Sequence, residues 1–266
     1  TVAEAVRLRE AGFNIIHTPM TRIFGAFFNQ NHAPLFSNLE VREALNLSLD
    51  KEKLVDEVLQ GFGMPLSGPI LSGSSAWQSD YPRNSATSTR IEAAREILAK
   101  AGWKEGESGV LQKKTKTETY NLRFSISTGN VPELKKTAEA LKNTWGELGA
   151  AVDIKVFEQA DLNRDVIRAR NYDVLLFGES VGREMDFYPF WHSSQRNDPG
   201  LNIALYANIT ADKLLDDIRA SNDKGVRAEK IAALEQEIKK DVPAVFTYSP
   251  EFLYAVSPKI KNVEEK

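Results

Sequence analysis

The sequence predicts an α/β fold: a mixed, largely parallel sheet flanked by helices. Three observations carry that prediction. Between Tyr120 and Ser180, three strand-like runs alternate with two amphipathic helices, and strands joined through helices run parallel with right-handed crossovers. Apolar residues make up 42% and charged residues 27% of the 266 positions, a globular composition in a chain long enough to bury a sizeable core. No run approaches the ~20 consecutive apolar residues that span a bilayer.

The elements follow in order. TVAEAVRLREAG places Val2, Ala5, Val6 and Arg9 at helical spacing before Gly12, where a C-terminal cap belongs. It reads as a chain entered in mid-helix and, with the unclosed KIKNVEEK end, predicts a piece of a longer protein. NIIHTP (residues 14–19) and RIFGAFFNQ (residues 22–30) are Ile- and Phe-rich strands. Asn38 is placed to cap a helix carrying Val41, Ala44, Leu45 and Leu49. Asp50 is placed to cap a second with Leu54, Val55, Val58 and Leu59, stopped by Gly61. Residues 64–88, rich in Pro, Gly and Ser, form a long loop. Thr89 and Glu92 have capping-box spacing for a helix with Ile91, Ala94 and Leu98 on one face. KEGESG and KKTKTET flank a solvated hairpin tip.

The alternating region comes next. Strand 120–128 leads to a helix with Asn130 as cap and Glu133 three residues on, whose stripe Leu134, Ala138, Leu141, Trp145 and Leu148 steps by three and four until Gly149. Strand 150–159, a helix capped by Asp161, and strand 172–180 complete the series. An aromatic segment, residues 186–208, precedes two helices carrying Leu214, Leu215, Ile218 and Ile231, Leu234, Ile238. Pro243 ends the second, and residues 244–257 read as a hairpin or a long bent strand.

Composition and motifs exclude most chemistries. Lys+Arg 34 against Asp+Glu 37 gives a net charge of −3, without the basic excess that phosphate backbones require. The absence of Cys removes thiol nucleophiles, disulfides and Cys-ligated zinc. His17, His32 and His192 have no metal-ligand spacing. The GxSxG pattern occurs at residues 178–182 (GESVG), but an irregular aromatic segment rather than a helix follows it, so the strand–turn–helix context of a nucleophile elbow is missing; Walker motifs are absent, and Gly61–Gly63 follows a helix with Leu66 where a dinucleotide fingerprint needs Gly. No cofactor is implied. Ligands of open α/β sheets bind beyond the carboxyl ends of the parallel strands, here Ser127–Asn130, Phe157–Gln159 and Phe177–Ser180. Glu179 and Asp186, in the GESVGREMD loop with Ser180 and Gly182, would attract an ammonium group, while Asn130 and Asp161 are placed as helix caps. Trp191, within a crowd of aromatics, is the preferred pocket ring, with Trp77 second; core packing is the competing assignment for each ring.

VREALNLSLDKEKLVDEVLQGFGMPLSGPI resembles the signature of family 5 extracytoplasmic solute-binding proteins, the peptide, dipeptide and nickel-type receptors of ABC importers. Further matches follow in order: the strand ending Phe28–Asn29, AREILAKAGW, WGELGA before VDIKV, YDVLLFG, FWHSSQ, LNIALYAN, ADKLLDDIRA and DVPAVFTYSP. The resemblance implies a periplasmic-binding-protein type II-like lobe. Residues 1–266 would be the C-terminal ligand-binding lobe of a two-lobed receptor, with an N-terminal lobe, a signal peptide and a lipobox Cys upstream. It implies an extracytoplasmic, lipid-anchored, non-enzymatic protein that captures peptides and works with ABC permease subunits, and neither nucleic acid nor a membrane as direct partner. The alternatives are a nickel-chelate, opine or oligosaccharide receptor, then a carboxylate-pair hydrolase or a domain that keeps the fold without a ligand. In peptide-binding members an acidic residue after the YDVLLFG-type strand meets the ligand's amino terminus. The matching loop here departs from the usual aromatic-Gly-Asp arrangement and leaves that role open between Glu179 and Asp186. The expected ligand-binding set is Glu179, Ser180, Gly182, Asp186 and Trp191, joined by Asn29, Asn202 and Tyr206 from the matching segments.

Overall fold

The computed structural model describes residues 1–71, 87–106, 108–182 and 186–260. The first half of the chain runs α1 (Val2–Glu10), β1 (Asn14–Pro19), β2 (Arg22–Phe28), α2 (Leu39–Ser48), α3 (Lys51–Leu59), β3 (Gly63–Pro65) and α4 (Thr87–Lys100). A small three-stranded sheet follows, β4 (Lys104–Glu105), β5 (Leu111–Lys114) and β6 (Thr119–Asn121). Then come β7 (Arg123–Gly129), α5 (Pro132–Leu148), β8 (Ala151–Phe157), the short α6 (Gln159–Asp161) and β9 (Val174–Ser180). The chain ends with α7 (Tyr188–Trp191), α8 (Ile209–Ala220), α9 (Lys224–Asp241) and β10 (Ala244–Val256).

The main sheet has the order β1-β10-β2-β9-β7-β8, with β3 also on β10. β9, β7 and β8 are parallel, as helix-joined strands must be, and β2, β10 and β1 add antiparallel pairs. The fold is therefore mixed α/β. Side chains alternate across the sheet: Ala26, Phe28, Val174 and Leu176 enter a core with α2 to α5, and Ile23, Phe27 and Leu175 enter a second with α8 and α9. Trp145 anchors the first core, fully buried with its indole N–H donating to the Leu45 carbonyl at 3.0 Å. In the second core Tyr172 donates to the Ile203 carbonyl at 2.5 Å.

Several helix starts differ from the sequence expectation. Asp50 does cap α3, accepting from the Lys53 N–H at 3.1 Å. Asn38 holds the cap position of α2, but its amide donates to the Leu35 carbonyl instead. Val131 is the cap residue of α5, because Asn130 spends its side chain on Glu158 and Lys135. Asp161 lies inside the helical segment, which begins after Glu158 and widens into a π-helical turn over Leu162–Ile167; it accepts from Arg164. α4 begins at Thr87, so Thr89 is internal to it, and the expected 64–88 loop opens with β3. At the start of α1 the Thr1 hydroxyl accepts from the Glu4 N–H at 3.3 Å.

β10 is one long strand of 13 residues, with a register irregularity between Phe246 and Tyr248. Ala244–Tyr248 pair with β2 and Glu251–Val256 pair with β1. β1 and β2 thus lie end to end along β10, and β1 with the far half of β10 forms a two-stranded ribbon that leaves the main sheet. α1 covers one face of that ribbon through a small cluster of Ala5, Ile15 and Phe62. Phe252 and Tyr254 stay exposed on the other face.

Candidate ligand groove at the open end of the parallel strands

The three parallel strands end at one edge. Asn130 Nδ2 donates to Glu158 Oε1 at 2.7 Å, tying the end of β7 to the end of β8. β9 runs further than β7. Its ladder to β7 stops at Thr128 opposite Leu176, while β2 stays paired with it out to Arg22 opposite Ser180. Residues 177–180 are therefore in a ladder on one side only. The Val181 N–H donates to the Thr21 carbonyl on the β2 side. Alternation then turns the main chain of Glu179 the same way and points that of Gly178 and Ser180 toward the open side. An unpaired strand edge is a template for an added strand.

That edge lies in a groove of about 810 Å³, lined by both the sheet and the ribbon. Its floor is apolar: Phe24, Leu134 and Tyr248, with the Phe24 and Tyr248 rings 5.3 Å apart. Gly178 makes the floor possible, since a Cβ there would sit 2.6 Å from the Phe24 ring. The Tyr248 hydroxyl meets Thr137 Oγ1 at 3.0 Å, and burial pushes its pKa up to about 12. Arg22, Ser180, Gln159 and Glu133 supply the polar rim of the sheet side, facing Phe252 and Leu253 of the ribbon. An apolar floor with a few convergent polar groups is the usual constitution of a ligand site.

Of the residues expected to bind ligand, Ser180 lines this groove. Glu179 is beside it in sequence but on the other face, the face of its cross-strand neighbour Ile23. It is 5% exposed and neither carboxylate oxygen has a hydrogen-bond partner; burial drives its pKa well above the usual carboxylate range. Asp186 is paired with Arg219 at 2.5 Å, and that bond holds its carboxyl below the usual range. The Arg219 guanidinium in turn lies 3.8 Å over the Tyr188 ring. Trp191 is a core residue, 1% exposed and packed among Phe27, Phe246 and Tyr206. Asn202 is fully buried with its side chain committed to the His192 and Tyr206 carbonyls and the Tyr206 N–H. The Tyr206 hydroxyl donates to Asp241 at 2.7 Å. Asn29 sits at the opposite end of β9, bonded to the Arg170 carbonyl and to the N–H groups of Asn31 and His32. Gly182 adopts φ +69° in the turn after β9, beside Val181 and Phe187 rather than in the groove. Trp77 lies outside the described residues. Among the described residues no cluster of three or more His, Asp or Glu could hold a metal ion.

Comparison with known proteins decides the family. Residues 3–199 match the profile of the bacterial extracellular solute-binding proteins, family 5. The chain belongs to that family. It is similar to the oligopeptide-binding protein AppA of Bacillus subtilis, 30% identical over 220 residues, which cover 81% of this chain and 39% of AppA. The di/tripeptide-binding protein 1 of Pseudomonas aeruginosa is 28% identical over 236 residues, 88% of this chain and 40% of that protein. The chain thus spans about two fifths of these relatives. The solved AppA structure, in complex with a nonapeptide, superposes with a TM-score of 0.80 at 25% identity, covering 98% of this chain and 52% of that one. NikA from Brucella suis, in complex with Fe(III)-EDTA, has the same fold, with a TM-score of 0.78 at 17% identity over 99% of this chain and 52% of that one.

In this family 5 chain Gln159, Phe177, Gly178 and Ser180 lie at the strand ends expected to face ligand, while the floor and the rest of the rim were not foreseen from sequence. Arg22, Phe24 and Tyr248 sit inside strands that read only as core or surface. The available signal was Gly178 in YDVLLFG, since a glycine inside a strand often marks close approach of another group.

Proposed function

We propose that this chain is the ligand-binding lobe of an extracytoplasmic receptor that takes up peptides and passes them to an ABC permease, without catalysing a reaction. The open edge of β9 at residues 177–180, inside the groove, carries this reading. A peptide laid there as an added strand finds main-chain partners whatever its side chains, and the groove supplies space for them. Family membership and the peptide-binding relatives support it. The second wall of the site would come from the N-terminal lobe of the longer protein, which the exposed Phe252 and Tyr254 of the ribbon are placed to meet. A lipid anchor upstream of the chain is the attachment proposed for it.

A thermal-shift screen of the two-lobed protein against di- to pentapeptides, nickel with histidine, and oligosaccharides tests the reading. A ligand that binds only the folded state raises the unfolding midpoint by mass action. The expected result is a concentration-dependent rise with peptides. No rise with any peptide overturns the proposal, and a rise with nickel–histidine alone replaces it.

A further inference from the structure

β8 is the last strand of the main sheet, and among the described residues it pairs with β7 alone. The Ala151 N–H donates to the Leu122 carbonyl at 2.9 Å, and the Phe157 carbonyl accepts from the Asn130 N–H at 2.8 Å. The N–H and C=O of one strand residue point the same way. Residues 151, 153, 155 and 157 therefore turn their main chain to β7, while Val152, Ile154 and Val156 turn theirs to the open edge. The return from β8 to β9 passes over β7, where Leu162 and Val166 enter the second core. It leaves Asp153 and Lys155 exposed on that face of β8. On the opposite face Val152 and Ile154 pack on the first core, while Val156 stays 44% exposed.

An unpaired edge of seven residues is a template for another strand, and this one is complementary to itself. Antiparallel pairing with a second copy, centred on Ile154, joins Ile154 to Ile154 and Val152 to Val156. Every residue in those pairs has its main chain turned outward, so the pairs exchange about six hydrogen bonds. The same register sets Asp153 opposite Lys155 of the second copy, twice over. These are non-hydrogen-bonded pairs, with Cα atoms about 4.5 Å apart and side chains in contact. Within the chain, and among the described residues, Asp153 and Lys155 make no ion pair or hydrogen bond, so both are available. The neighbouring registers fail on charge. A centre at residue 153 sets the two aspartates face to face, and a centre at residue 155 does the same to the two lysines; like charges so placed destabilise. Charges on an edge strand usually oppose pairing of any kind. Here their spacing selects one register and rejects the two beside it.

We infer that β8 is a homodimer interface: two copies of this chain join edge to edge, antiparallel about Ile154, in one continuous sheet. A two-fold axis through the same strand of both copies makes a closed contact, so assembly stops at two. No residue of β8 lines the groove, and the inference is independent of the peptide reading. One strand pair held partly by exposed charges is a small interface, so the dimer is reversible and weakens as salt rises.

Sedimentation equilibrium on the two-lobed protein at low salt, carried to about 1 mM, tests it. The parent is expected to dimerise reversibly. Asp153→Lys and Lys155→Asp each put like charges at both contacts, so either variant alone should dimerise about tenfold more weakly or worse. Both positions are exposed, so the unfolding midpoints should match the parent. An equimolar mixture of the two variants restores opposite charges at both contacts and should associate as strongly as the parent. A parent that stays monomeric throughout leaves the edge to solvent or to another partner and overturns the inference. So does a dimer that both variants leave at full strength, which places the contact elsewhere. A mixture that associates no better than either variant alone overturns the register, and the inference with it.

Discussion

Glu179 and Asp173 show how one residue type is governed by its surroundings. Both are carboxylates on or beside β9. Burial acts on Asp173 too, but the N–H and hydroxyl of Ser125, at 2.8 and 2.7 Å, and His32 at 2.9 Å outweigh it and hold its pKa below the usual range. Glu179 has no such donors and is driven upward. The two therefore make stability depend on pH in opposite senses. The contribution of Asp173 is present above its unfolded pKa and is lost as pH falls through the folded one. Glu179 contributes below its unfolded pKa and loses that contribution as pH rises through its folded one. Glu179→Gln should raise the unfolding midpoint at pH 7–8, by about 2–4 °C for each kcal/mol of penalty removed, and flatten the decline toward alkaline pH. Asp173→Asn should lower stability by about 1–3 kcal/mol, because the Ser125 donors and His32 lose a charged partner. Thermal melts of both variants between pH 4 and 9 check the two signs; a midpoint of Glu179→Gln that follows the parent at every pH contradicts the first.

At the scale of elements, β9 unites core and site. Its first half is buried on both faces, and its second half has one face under Phe24 and one edge open. Gly178→Ala places a Cβ 2.6 Å from the Phe24 ring. The ring has to move off the strand, at a cost of about 1–3 kcal/mol, and the groove floor is disturbed with it. The expected outcome is a lower midpoint together with weaker peptide binding, read by denaturant unfolding and calorimetry. The elements themselves were legible from the sequence. Helical stripes such as Leu134 to Leu148 and the βαβαβ alternation are local patterns, and the fold preserves them. Of the groove, only the strand-end residues Gln159, Phe177, Gly178 and Ser180 were legible; the rest were not, because an edge is defined by where two ladders stop relative to each other. Trp191, Asn202 and Tyr206 attract notice as functional residue types. Their hydroxyl and amides are consumed by partners up to 35 positions away, such as Asp241 for Tyr206, and only the folded chain brings those partners into view. The reverse holds for Arg22, ordinary in sequence and distinguished in the folded chain by lining the groove with no partner among the described residues.

For the whole molecule, the groove supplies one wall and part of a second. A peptide on β9 alone keeps its main-chain bonds on one edge while still losing its freedom to move. The 266-residue chain is therefore expected to bind peptides at least a hundredfold more weakly than the two-lobed protein, as measured by calorimetry on both at the same temperature and salt. Comparable affinities would place the whole site within this chain.

The ribbon has a mechanical consequence. Its two strands leave the sheet at one level, and each carries a proline there, Pro19 and Pro250. Proline lacks an N–H and holds φ near −65°, so the row that joins sheet to ribbon is short of ladder bonds. The junction is held instead by the Met20 N–H on the Pro250 carbonyl at 3.2 Å, the Ser249 hydroxyl on the Met20 carbonyl at 2.9 Å and the pairing of β3 with Tyr248–Pro250. The ribbon's place on the lobe is thus fixed by a handful of individual bonds at the junction and by its own small core of Ala5, Ile15 and Phe62.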